Sequence, residues 1–388
     1  MLEGIRVLEA SIAVAGPSAS QVLADLGAEV IKVEKPGEGD VFRNTPGMGP
    51  TMFLAVNRGK KSVAIDLKTP KGLELFYDLA KKCDVVVENM GPGVAEKLGL
   101  SQERVRRQNL KAIYCKVESF GDGPYSNFPA FDPVLQAATG IMSTTGFPPD
   151  KYVRAGVSMV DMSTGLHAAN AILAQLVERN RSGRGAYIRI SLYDAAAYYM
   201  SYWVAMYDLY GKDTRPLGTT HIFGSPYNLF RTKDALVYIA IANDKAWQEF
   251  CKALGFEDLL ATKEYSTSKG RVANKIELES KVARKLTKIP SSRLARLLHD
   301  TGVPFAKLNT AKSLLRDPHF IQRGILKKYT YKAKDFRTIV SPAIIEGRRP
   351  FASRSPPTVG QDTEKVLRSL LHLKQQQIVK LRSAKIVA

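Results

Sequence analysis

The sequence predicts an α/β protein with a parallel-sheet large domain and a smaller, inserted α+β domain. Two observations support this prediction. Short apolar runs alternate with segments of helical periodicity through the first part of the chain, which is typical of strands and helices that alternate along a parallel sheet. Near residue 215 the chain becomes turn-rich, and strand and helix patterns resume after about residue 330. We therefore expect the C-terminal segment to return to the large domain.

The opening of the chain has the pattern of a compact β-turn-α-β unit. Strands are expected at 4–10 and 29–34, with a turn at 11–18 and a helix at 19–28 between them. Gly27 is placed to end this helix, because glycine adopts the left-handed backbone conformation at little cost. Such a unit begins many nucleotide-binding, Rossmann-like sheets. The glycine-rich phosphate fingerprints of dehydrogenases and P-loop enzymes are absent from the sequence, which disfavours a plain NAD-dependent enzyme.

The same alternation continues to residue 200. Strands are expected at 61–68, 84–90 and 112–120, helices at 70–83 and 161–180, and a strand that runs into a helix at 186–200. Each strand opens at its carboxyl end into a polar or Gly/Pro loop. Because the ligands of open α/β sheets usually lie across those ends, we expect the binding site there.

Three ranges describe the predicted domain organisation. The large domain is expected to begin with residues 1–200, the small domain to occupy residues 215–320, and the return segment to comprise residues 330–388. Within the return segment, residues 338–347 have strand character and residues 362–383 have helical character.

Length and composition are those of a globular intracellular protein. Of the 388 residues, 45% are hydrophobic and 24% are charged, and no run of about 18 apolar residues could span a membrane. The N-terminus does not resemble a signal peptide, and three cysteines are too few for a disulfide framework or a zinc cluster. We expect a cytoplasmic protein with no bound metal and no membrane association.

The net charge of +20 is concentrated in the last third of the chain. Residues 261–388 contain 28 basic and 9 acidic side chains, a net of +19. Such asymmetry is compatible with a polyanionic partner, but the sequence has no zinc finger, aromatic RNA-binding motif or Gly-Arg tract. Nucleic acid is therefore not expected as the main partner. The basic segment lies far along the sequence from the expected binding site, and we do not count it as evidence for a ligand there.

The chain contains the motifs AGPSASQVLADLGAEVIKVEKPGEGD (15–40), NRGKKSVAIDLKTPKG (57–72), VVENMGPG (86–93), GVSMVDMSTGLHAANAILAQLVERNRSGRGAYIRISLYDA (156–195), PYNLF (226–230), GVPFAKLNT (302–310) and DPHFIQRG (317–324). These motifs resemble those of the class III CoA-transferase family, which includes formyl-CoA and carnitine CoA-transferases and is related to the α-methylacyl-CoA racemases. They follow one another in the order of the family and cover nearly the whole chain.

Asp161 is the residue on which the functional interpretation depends. Judged by the residues alone, an Asp followed by Met162, Ser163 and a small-residue helix is most simply an N-cap. The resemblance implies instead a catalytic role, in which this carboxylate attacks an acyl-CoA thioester and forms first a mixed anhydride and then an aspartyl-CoA thioester. A helix N-terminus would support either role.

The resemblance also implies the substrates and the assembly. CoA would move reversibly between an acyl-CoA thioester and a free carboxylic acid, with CoA as a substrate and no prosthetic group. Family members form an interlocked homodimer, so we expect one here. The sequence does not name the donor or the acceptor acid. Val14 replaces the glutamine of the formyl-CoA:oxalate enzymes, which favours a larger or less polar acyl group than oxalate.

Positions that match the family's CoA contacts occur in several short segments. They are Ala13, Val14, Ala15, Lys35, Ile65, Asp66, Leu67, Lys68, Asn89, Met90, Gly91, Lys97, Leu98 and Phe131. The lysines would supply charges for the phosphates of CoA, although each is equally an ordinary surface lysine. Asp132 is a candidate neighbour that tunes Asp161, or else a turn residue before Pro133. His221 could contact a substrate carboxylate, or be a loop histidine without a function.

Two alternatives to a transferase remain. A racemase or isomerase would need a histidine base immediately before the acidic residue of the segment 130–140, where this chain has Phe131. Phenylalanine cannot take a proton, so a racemase is disfavoured. The second alternative is a non-catalytic, basic binding protein on the same fold, which the charge of the last third favours and the Asp161 motif opposes.

Overall fold

A computed structural model describes residues 1–388. The strands are β1 (Arg6–Ala10), β2 (Glu29–Glu34), β3 (Lys61–Ala64), β4 (Val85–Glu88), β5 (Ile113–Glu118), β6 (Gly146–Phe147), β7 (Lys151–Tyr152), β8 (Tyr187–Ser191), β9 (Tyr227–Arg231), β10 (Leu236–Ala240), β11 (Phe305–Lys307), β12 (Leu326–Tyr331) and β13 (Lys334–Ile339). These strands form four separate sheets.

The helices alternate with these strands along the chain. They are α1 (Ala15–Asp25), α2 (Gly49–Val56), α3 (Pro70–Ala80), α4 (Val94–Lys97), α5 (Gln102–Gln108), α6 (Asp132–Ala138), α7 (Ile141–Thr144), α8 (Met159–Ser182), α9 (Leu192–Tyr198), α10 (Ser201–Tyr210), α11 (Asp244–Leu254), α12 (Glu257–Leu260), α13 (Ser268–Ala273), α14 (Lys275–Leu286), α15 (Ser291–Leu298), α16 (Ala311–Leu314), α17 (Pro318–Gln322), α18 (Thr363–Leu371) and α19 (Gln375–Ser383), with 3₁₀ turns at Val41–Arg43 and Lys263–Tyr265. None of the helices is both long and apolar enough to span a bilayer.

The chain divides into two compact units. The large unit consists of Met1–Ser143, Arg154–Thr214 and Arg323–Ala388, and the small unit consists of Thr144–Val153 and Arg215–Gln322. The C-terminal segment therefore returns to the large unit, as the sequence predicts.

A six-stranded parallel sheet forms the centre of the large unit. Its strand order is β3-β2-β1-β4-β5-β8, and every neighbouring pair is parallel. The run Val85–Val87 is fully buried, because helices cover both faces and leave no solvated side on which a polar residue would be favoured. The predicted α/β class with a Rossmann-like parallel sheet is confirmed.

Successive residues of each strand enter opposite cores. Val7 and Val87 pack with α1 and α8 on one face, whereas Leu8 and Val86 pack with α3, α18 and α19 on the other. The C-terminal helices are thus part of the core that covers the sheet on the second side. Four apolar residues of these helices are buried in this core: Val366, Leu367, Ile378 and Leu381.

The sheet has its topological switch point between β1 and β4. The chain proceeds outward in one direction from β1 to β3, then returns to the other side of β1 to build β4, β5 and β8. In open parallel sheets a crevice forms at this point, outside the carboxyl ends of the strands. The residues that follow β1 and β4, at 11–14 and 89–91, therefore border the expected binding cleft.

The small unit has its own core. Strands β9, β10 and β11 form an antiparallel sheet, and α11, α14 and α15 contribute side chains to the same apolar cluster. Trp247 is completely buried in it. The hairpin β6–β7 also belongs to this unit, although residues 144–153 lie inside the range 1–200 expected for the large domain. The carbonyl oxygen of Gly146 accepts a hydrogen bond from the Gly218 amide at 2.7 Å, which ties this hairpin to the small unit.

Several element boundaries differ from the predictions for physical reasons. Helix α1 begins at Ala15, inside the segment expected to be a turn, because Pro17 is compatible with the first turn of a helix. Strand β3 ends at Ala64, since Ile65 pairs instead with Val387 in an isolated antiparallel bridge. Gly27 has φ +105°, so the prediction of a left-handed residue after α1 is confirmed.

Candidate active site

Asp161 lies in the first turn of the long helix α8. The helix begins at Met159, and Ser158 occupies the N-cap position without making a side-chain cap. Asp161 is therefore the third helical residue, and the prediction that it is the N-cap is wrong. The helix starts two residues earlier than the sequence suggests because another residue supplies the cap.

Asp132 provides that cap from the start of α6. Its Oδ2 accepts hydrogen bonds from the backbone amides of Val160 at 2.7 Å and of Asp161 at 3.1 Å. Its Oδ1 accepts a hydrogen bond from Nε2 of Gln136 at 2.5 Å, and Oε1 of Gln136 in turn accepts one from the Ala155 amide at 2.8 Å. Asp132 is buried, and it holds the segment before α8 as well as the helix start.

The same contact perturbs the Asp161 carboxyl electrostatically. Burial, followed by the negative charge of Asp132, raises the pKa of Asp161 to about 7. Both causes disfavour the ionised form, because water is partly excluded and a second carboxylate lies nearby. Near neutral pH, Asp161 is thus divided between a protonated form and a poorly solvated carboxylate. A poorly solvated carboxylate is a better nucleophile than a hydrated one.

Close packing of α1 against α8 brings the start of α1 beside Asp161. A Cβ atom at Gly165 would lie 1.9 Å from Oγ of Ser18 and 2.9 Å from the carbonyl oxygen of Ala15. Only glycine permits this approach of the two backbones. Helix α1 has no side-chain cap at its N-terminus, which leaves amides of its first turn directed at the space before Ala15.

The loop between β1 and α1 is held in an unusual conformation. Ala13 has φ +62°, a left-handed value that costs a residue with a Cβ about 1 kcal/mol. The amide of Ala13 donates to Oδ1 of Asp40 at 3.2 Å. The amide and the carbonyl oxygen of Ile12 are both bound by the side-chain amide of Asn89, each at 2.8 Å. These side chains fix the loop across the switch point.

A buried network of charged side chains contacts this loop through Asp40. Lys32 Nζ lies 2.7 Å from Oε1 of Glu9 and 2.9 Å from Oδ2 of Asp40, and Lys60 Nζ lies 2.7 Å from Oε2 of Glu9. All four side chains are buried. Burial alone would raise the pKa of Glu9, but the two lysines hold it at about 2. Glu9 therefore stays ionised between its two lysines, and Asp40 connects Lys32 to the Ala13 loop.

Glu34 is engaged inside the protein rather than directed at a ligand. Its two carboxylate oxygens accept from Nε and Nη2 of Arg43, both at 2.7 Å, and from the Ser62 hydroxyl at 2.5 Å. The amide of Asp40 donates to the same carboxylate at 2.8 Å. Glu34 thus fixes the segment that carries Asp40.

A cleft at the carboxyl ends of β1 to β4 collects many of the predicted CoA positions. Its lining residues are Ser11, Ile12, Val33, Glu34, Lys35, Gly39, Asp40, Ile65, Asp66, Leu67, Lys68, Met90 and Leu98. We refer to it as the strand-end cleft. It contains predicted residues from four separate segments of the chain, represented by Lys35, Ile65 to Lys68, Met90 and Leu98, which the parallel sheet brings to one edge.

Other predicted positions lie outside the lining of the strand-end cleft. Val14 and Ala15 are buried, each with 3% of its surface exposed. Asn89 binds the backbone of Ile12, and Gly91 and Lys97 are exposed. Phe131 is 73% exposed and immediately precedes Asp132.

His221 lies in the small unit, whereas Asp161 lies in the large unit. Its ring stacks on Tyr227 with centroids 4.6 Å apart, and its Nδ1 accepts from the Phe223 amide at 3.3 Å. The carbonyl oxygen of His221 accepts from Lys275 Nζ at 2.7 Å. These contacts order the loop 218–225 and occupy one ring nitrogen of the histidine.

Asp40 is a residue of the site that is not among the positions predicted from the sequence. The available signal was the segment PGEGD at 36–40, in which Gly37 and Gly39 both have positive φ. Such glycines mark a tight loop whose end must be placed accurately. Asp40 completes that loop and joins the buried network to Ala13.

Comparisons with known proteins agree with this architecture. The model of CoA-transferase family III matches residues 2–363. Human succinyl-CoA:glutarate CoA-transferase is 34% identical over 392 residues, covering 100% of this chain and 90% of that protein. Succinate–glutarate CoA-transferase of Agrobacterium fabrum is 34% identical over 383 residues, covering 95% of each chain.

A solved structure shows the same fold over nearly the full length. The crystal structure of a CaiB/BaiF family protein from Brucella suis matches with a TM-score of 0.87 and 31% sequence identity, covering 95% of this chain and 99% of that one. The family model, the relatives and the solved structure each match most of the chain, in both the large and the small unit, rather than one segment. This chain therefore belongs to CoA-transferase family III and is a CoA-transferase.

Proposed function

We propose that this enzyme transfers CoA reversibly from succinyl-CoA to a dicarboxylic acid similar to glutarate, through a covalent intermediate on Asp161. The names of the human and Agrobacterium relatives support this choice of substrates. The observation that carries the proposal is the Asp161 carboxyl in the first turn of α8, with a pKa raised to about 7 by burial and by Asp132.

The reaction proceeds by four acyl exchanges at Asp161. The carboxylate attacks the thioester carbonyl of the donor and expels CoA as a thiolate, forming a mixed anhydride. The thiolate attacks the Asp161 carbonyl, releases the donor acid and forms an aspartyl-CoA thioester. The acceptor carboxylate attacks this thioester and expels the thiolate again. Attack of the thiolate on the acceptor's carbonyl then gives the new acyl-CoA and restores Asp161, with no net change in protons or water.

The surroundings of Asp161 suit the charge that develops in these steps. The uncapped start of α1 lies beside α8, and helix N-termini stabilise negative charge such as that of a tetrahedral oxyanion. The loop at Ala13 is fixed by Asp40 and Asn89 and would form the wall against the thioester. Holding this wall rigid keeps the thioester within reach of Asp161.

The strand-end cleft is the proposed site of the remainder of CoA. Ile65, Leu67 and Met90 give it apolar walls for the pantetheine and adenine, while Lys35 and Lys68 lie at its border as counter-charges for phosphates. The cleft begins at Ser11 and Ile12, directly before the loop of Ala13. CoA in this orientation would place its thioester at the switch point.

We also propose a homodimer, of the interlocked kind implied by the family resemblance. Helix α10 has no buried residue. Its side chains Tyr202, Val204, Tyr207, Leu209 and Tyr210 are exposed by 57–72%. An apolar and aromatic surface of this kind is typical of a face covered by another chain. Measurement of the mass in solution tests this assembly, because a monomer at micromolar concentration would contradict it.

The substrates are tested with a panel of donors and acceptors. The full chain is incubated with succinyl-CoA, acetyl-CoA or formyl-CoA and with glutarate, oxalate or carnitine, and new acyl-CoAs are separated by chromatography. We expect glutaryl-CoA from succinyl-CoA and glutarate, and its loss in Asp161→Asn. The matched control is Asp78→Asn. Asp78 lies on α3, and its carboxylate forms an ion pair with Lys81 at the surface.

Two outcomes would contradict the proposal. Transfer by the Asp161→Asn variant at the rate of the unmodified enzyme would remove the covalent role of this residue. Incorporation of solvent deuterium at the acyl α-carbon without formation of a new acyl-CoA would instead identify a racemase or isomerase.

A further inference from the structure

The last residues of the chain are fixed against the strand-end cleft. Val387 forms an antiparallel bridge with Ile65, and the amide of Asp66 donates to the carbonyl oxygen of Ile386 at 2.8 Å. Val387 is buried, with 3% of its surface exposed. Because Ile65 and Asp66 line the strand-end cleft, this pairing places the residues that follow α19 at the same edge of the sheet.

A second cleft lies between this tail and the loop after β2. It is lined by Lys35, Pro36, Gly37, Asp66, Arg382, Lys385, Val387 and Ala388, and has a volume of about 360 Å³. We refer to it as the tail cleft. It shares Lys35 and Asp66 with the strand-end cleft, so the two clefts adjoin at these residues. Two cations of the basic C-terminal third thus reach the proposed CoA site.

The charges of the tail cleft leave a cation available for a ligand. Lys35 pairs with Glu38 at 2.5 Å, and Arg382 pairs with Glu364 at 3.0 Å. Lys385 lines the tail cleft without forming an ion pair. Its left-handed backbone, with φ +56°, and the hydrogen bond from its amide to the Arg382 carbonyl oxygen at 2.8 Å fix the turn that carries it.

We propose that Lys385, together with Arg382 and Lys35, binds the 3′-phosphate of CoA and makes the enzyme distinguish CoA from 3′-dephospho-CoA. This inference rests on the proposed function, which places CoA in the strand-end cleft with its thioester toward Ala13. The 3′-phosphate is then at the far end of the ligand, on the side of Lys35 and the tail cleft. A phosphate dianion matches a cluster of a guanidinium and two ammonium groups.

Binding of CoA and 3′-dephospho-CoA to the full chain is the test, measured by calorimetry for the unmodified protein, Lys385→Ala and Arg382→Ala. We expect the unmodified protein to bind CoA more tightly than dephospho-CoA. Lys385→Ala should weaken CoA binding roughly five- to tenfold and leave dephospho-CoA binding unchanged, as for the loss of one charged contact to phosphate. Lys380→Ala is the control, because this exposed lysine of α19 does not line the tail cleft.

The inference is overturned if Lys385→Ala weakens both ligands equally or neither. Restoration of the preference for CoA in Lys385→Arg would support it further, and thermal melting of each variant excludes loss of the fold as the cause. The transfer assay is read separately. A chain that prefers CoA through Lys385 but transfers no acyl group would contradict the proposed function alone, whereas active transfer with an unchanged preference in Lys385→Ala would contradict this inference alone.

Discussion

Asp132 caps the helix that carries Asp161, and it does so from a separate helix. One carboxylate oxygen of Asp132 accepts the backbone amides of Val160 and Asp161 at 2.7 and 3.1 Å. The hydrogen bonds fix the position of Asp161, while the charge opposes ionisation of its side chain. One buried residue therefore both places the nucleophile and raises its pKa.

The first prediction concerns the pH dependence of transfer. Because Asp161 reacts as a carboxylate, kcat/KM should rise with pH through about 7 and level off above it. In Asp132→Asn the repulsion disappears, so the pKa of Asp161 falls and the rise moves to lower pH. The shift covers only part of the distance to the ordinary value of 3.8, because burial is the larger cause and remains.

The pH profile of kcat/KM for Asp132→Asn and for the surface control Asp78→Asn checks this. Asparagine can still accept a hydrogen bond from the Val160 amide, so the start of α8 should be retained, at a cost of about 1 kcal/mol. An Asp132→Asn profile that coincides with that of the unmodified enzyme would show that Asp132 does not act on the charge of Asp161.

A second prediction concerns stability. A folded-state pKa above the ordinary 3.8 means that the folded state binds a proton more tightly than the unfolded state does. The contribution of Asp161 to stability is therefore most favourable at low pH and is lost as the pH rises from about 4 to 7. Asp161→Asn removes the ionisable carboxyl, so the variant should be more stable than the unmodified protein at pH 8. The free energy of unfolding should rise by about 1–2 kcal/mol, because the carboxyl is partly exposed and water screens part of the cost of ionising it.

Thermal melting at pH 5 and pH 8 measures this effect. The increase in Tm for Asp161→Asn should be larger at pH 8 than at pH 5, because at pH 5 most of the unmodified Asp161 is already protonated. An equal change in Tm at both values, or a decrease at pH 8, would be inconsistent with a raised pKa.

The third prediction tests the packing that aligns α1 with Asp161. Gly165→Ala introduces a Cβ within 2.9 Å of two backbone atoms, Ala15 O and Ala19 N, as well as of the Ser18 hydroxyl. The helices must move apart, at a cost of about 1–3 kcal/mol, and transfer should fall at least tenfold because the Ala13 loop moves with α1. The matched control is Gly156→Ala, where no atom lies within 4 Å of the added carbon. Equal activity in the two variants would refute the role of this contact.

The fourth prediction separates the charge of Asp40 from its hydrogen bond. Asp40→Asn keeps an acceptor for the Ala13 amide and loses the ion pair with Lys32, so it should lower Tm while leaving KM for acyl-CoA within about threefold. Asp40→Ala loses both interactions and should raise KM about tenfold, because the left-handed Ala13 is no longer held. Steady-state kinetics and melting of both variants are compared, and the same KM in each would mean that Asp40 does not position the loop.

Much of the fold could be predicted because its signals are local. The apolar run 85-VVVE-88 indicates a strand covered on both faces, and Gly27 indicates the left-handed residue that ends α1. Alternation of such strands with amphipathic helices is sufficient to predict a parallel sheet and a site at its carboxyl edge.

The features that the sequence did not predict depend on residues far apart in the chain. Asp132, which the sequence offers as a candidate neighbour of Asp161, also caps α8 from 29 positions before Asp161, and no local pattern indicates these capping hydrogen bonds. Lys385 reaches the tail cleft because the neighbouring Val387 pairs with Ile65, a residue that lies far earlier in the sequence. The sequence alone does not connect the basic last third with CoA, although the structure brings Arg382 and Lys385 to the edge of the proposed site.

Trapping of the covalent intermediate tests the central proposal most directly. The enzyme is incubated with succinyl-CoA, treated with borohydride and digested with trypsin, and the peptide 155–179 is analysed by mass spectrometry. An aspartyl-CoA thioester would be reduced to an alcohol, so we expect the corresponding mass change at Asp161, dependent on the acyl-CoA and absent in Asp161→Asn. If the enzyme binds CoA tightly but Asp161 stays unmodified after incubation with succinyl-CoA or any other acyl-CoA donor, covalent catalysis is contradicted. Asp161 would then be a structural residue of α8.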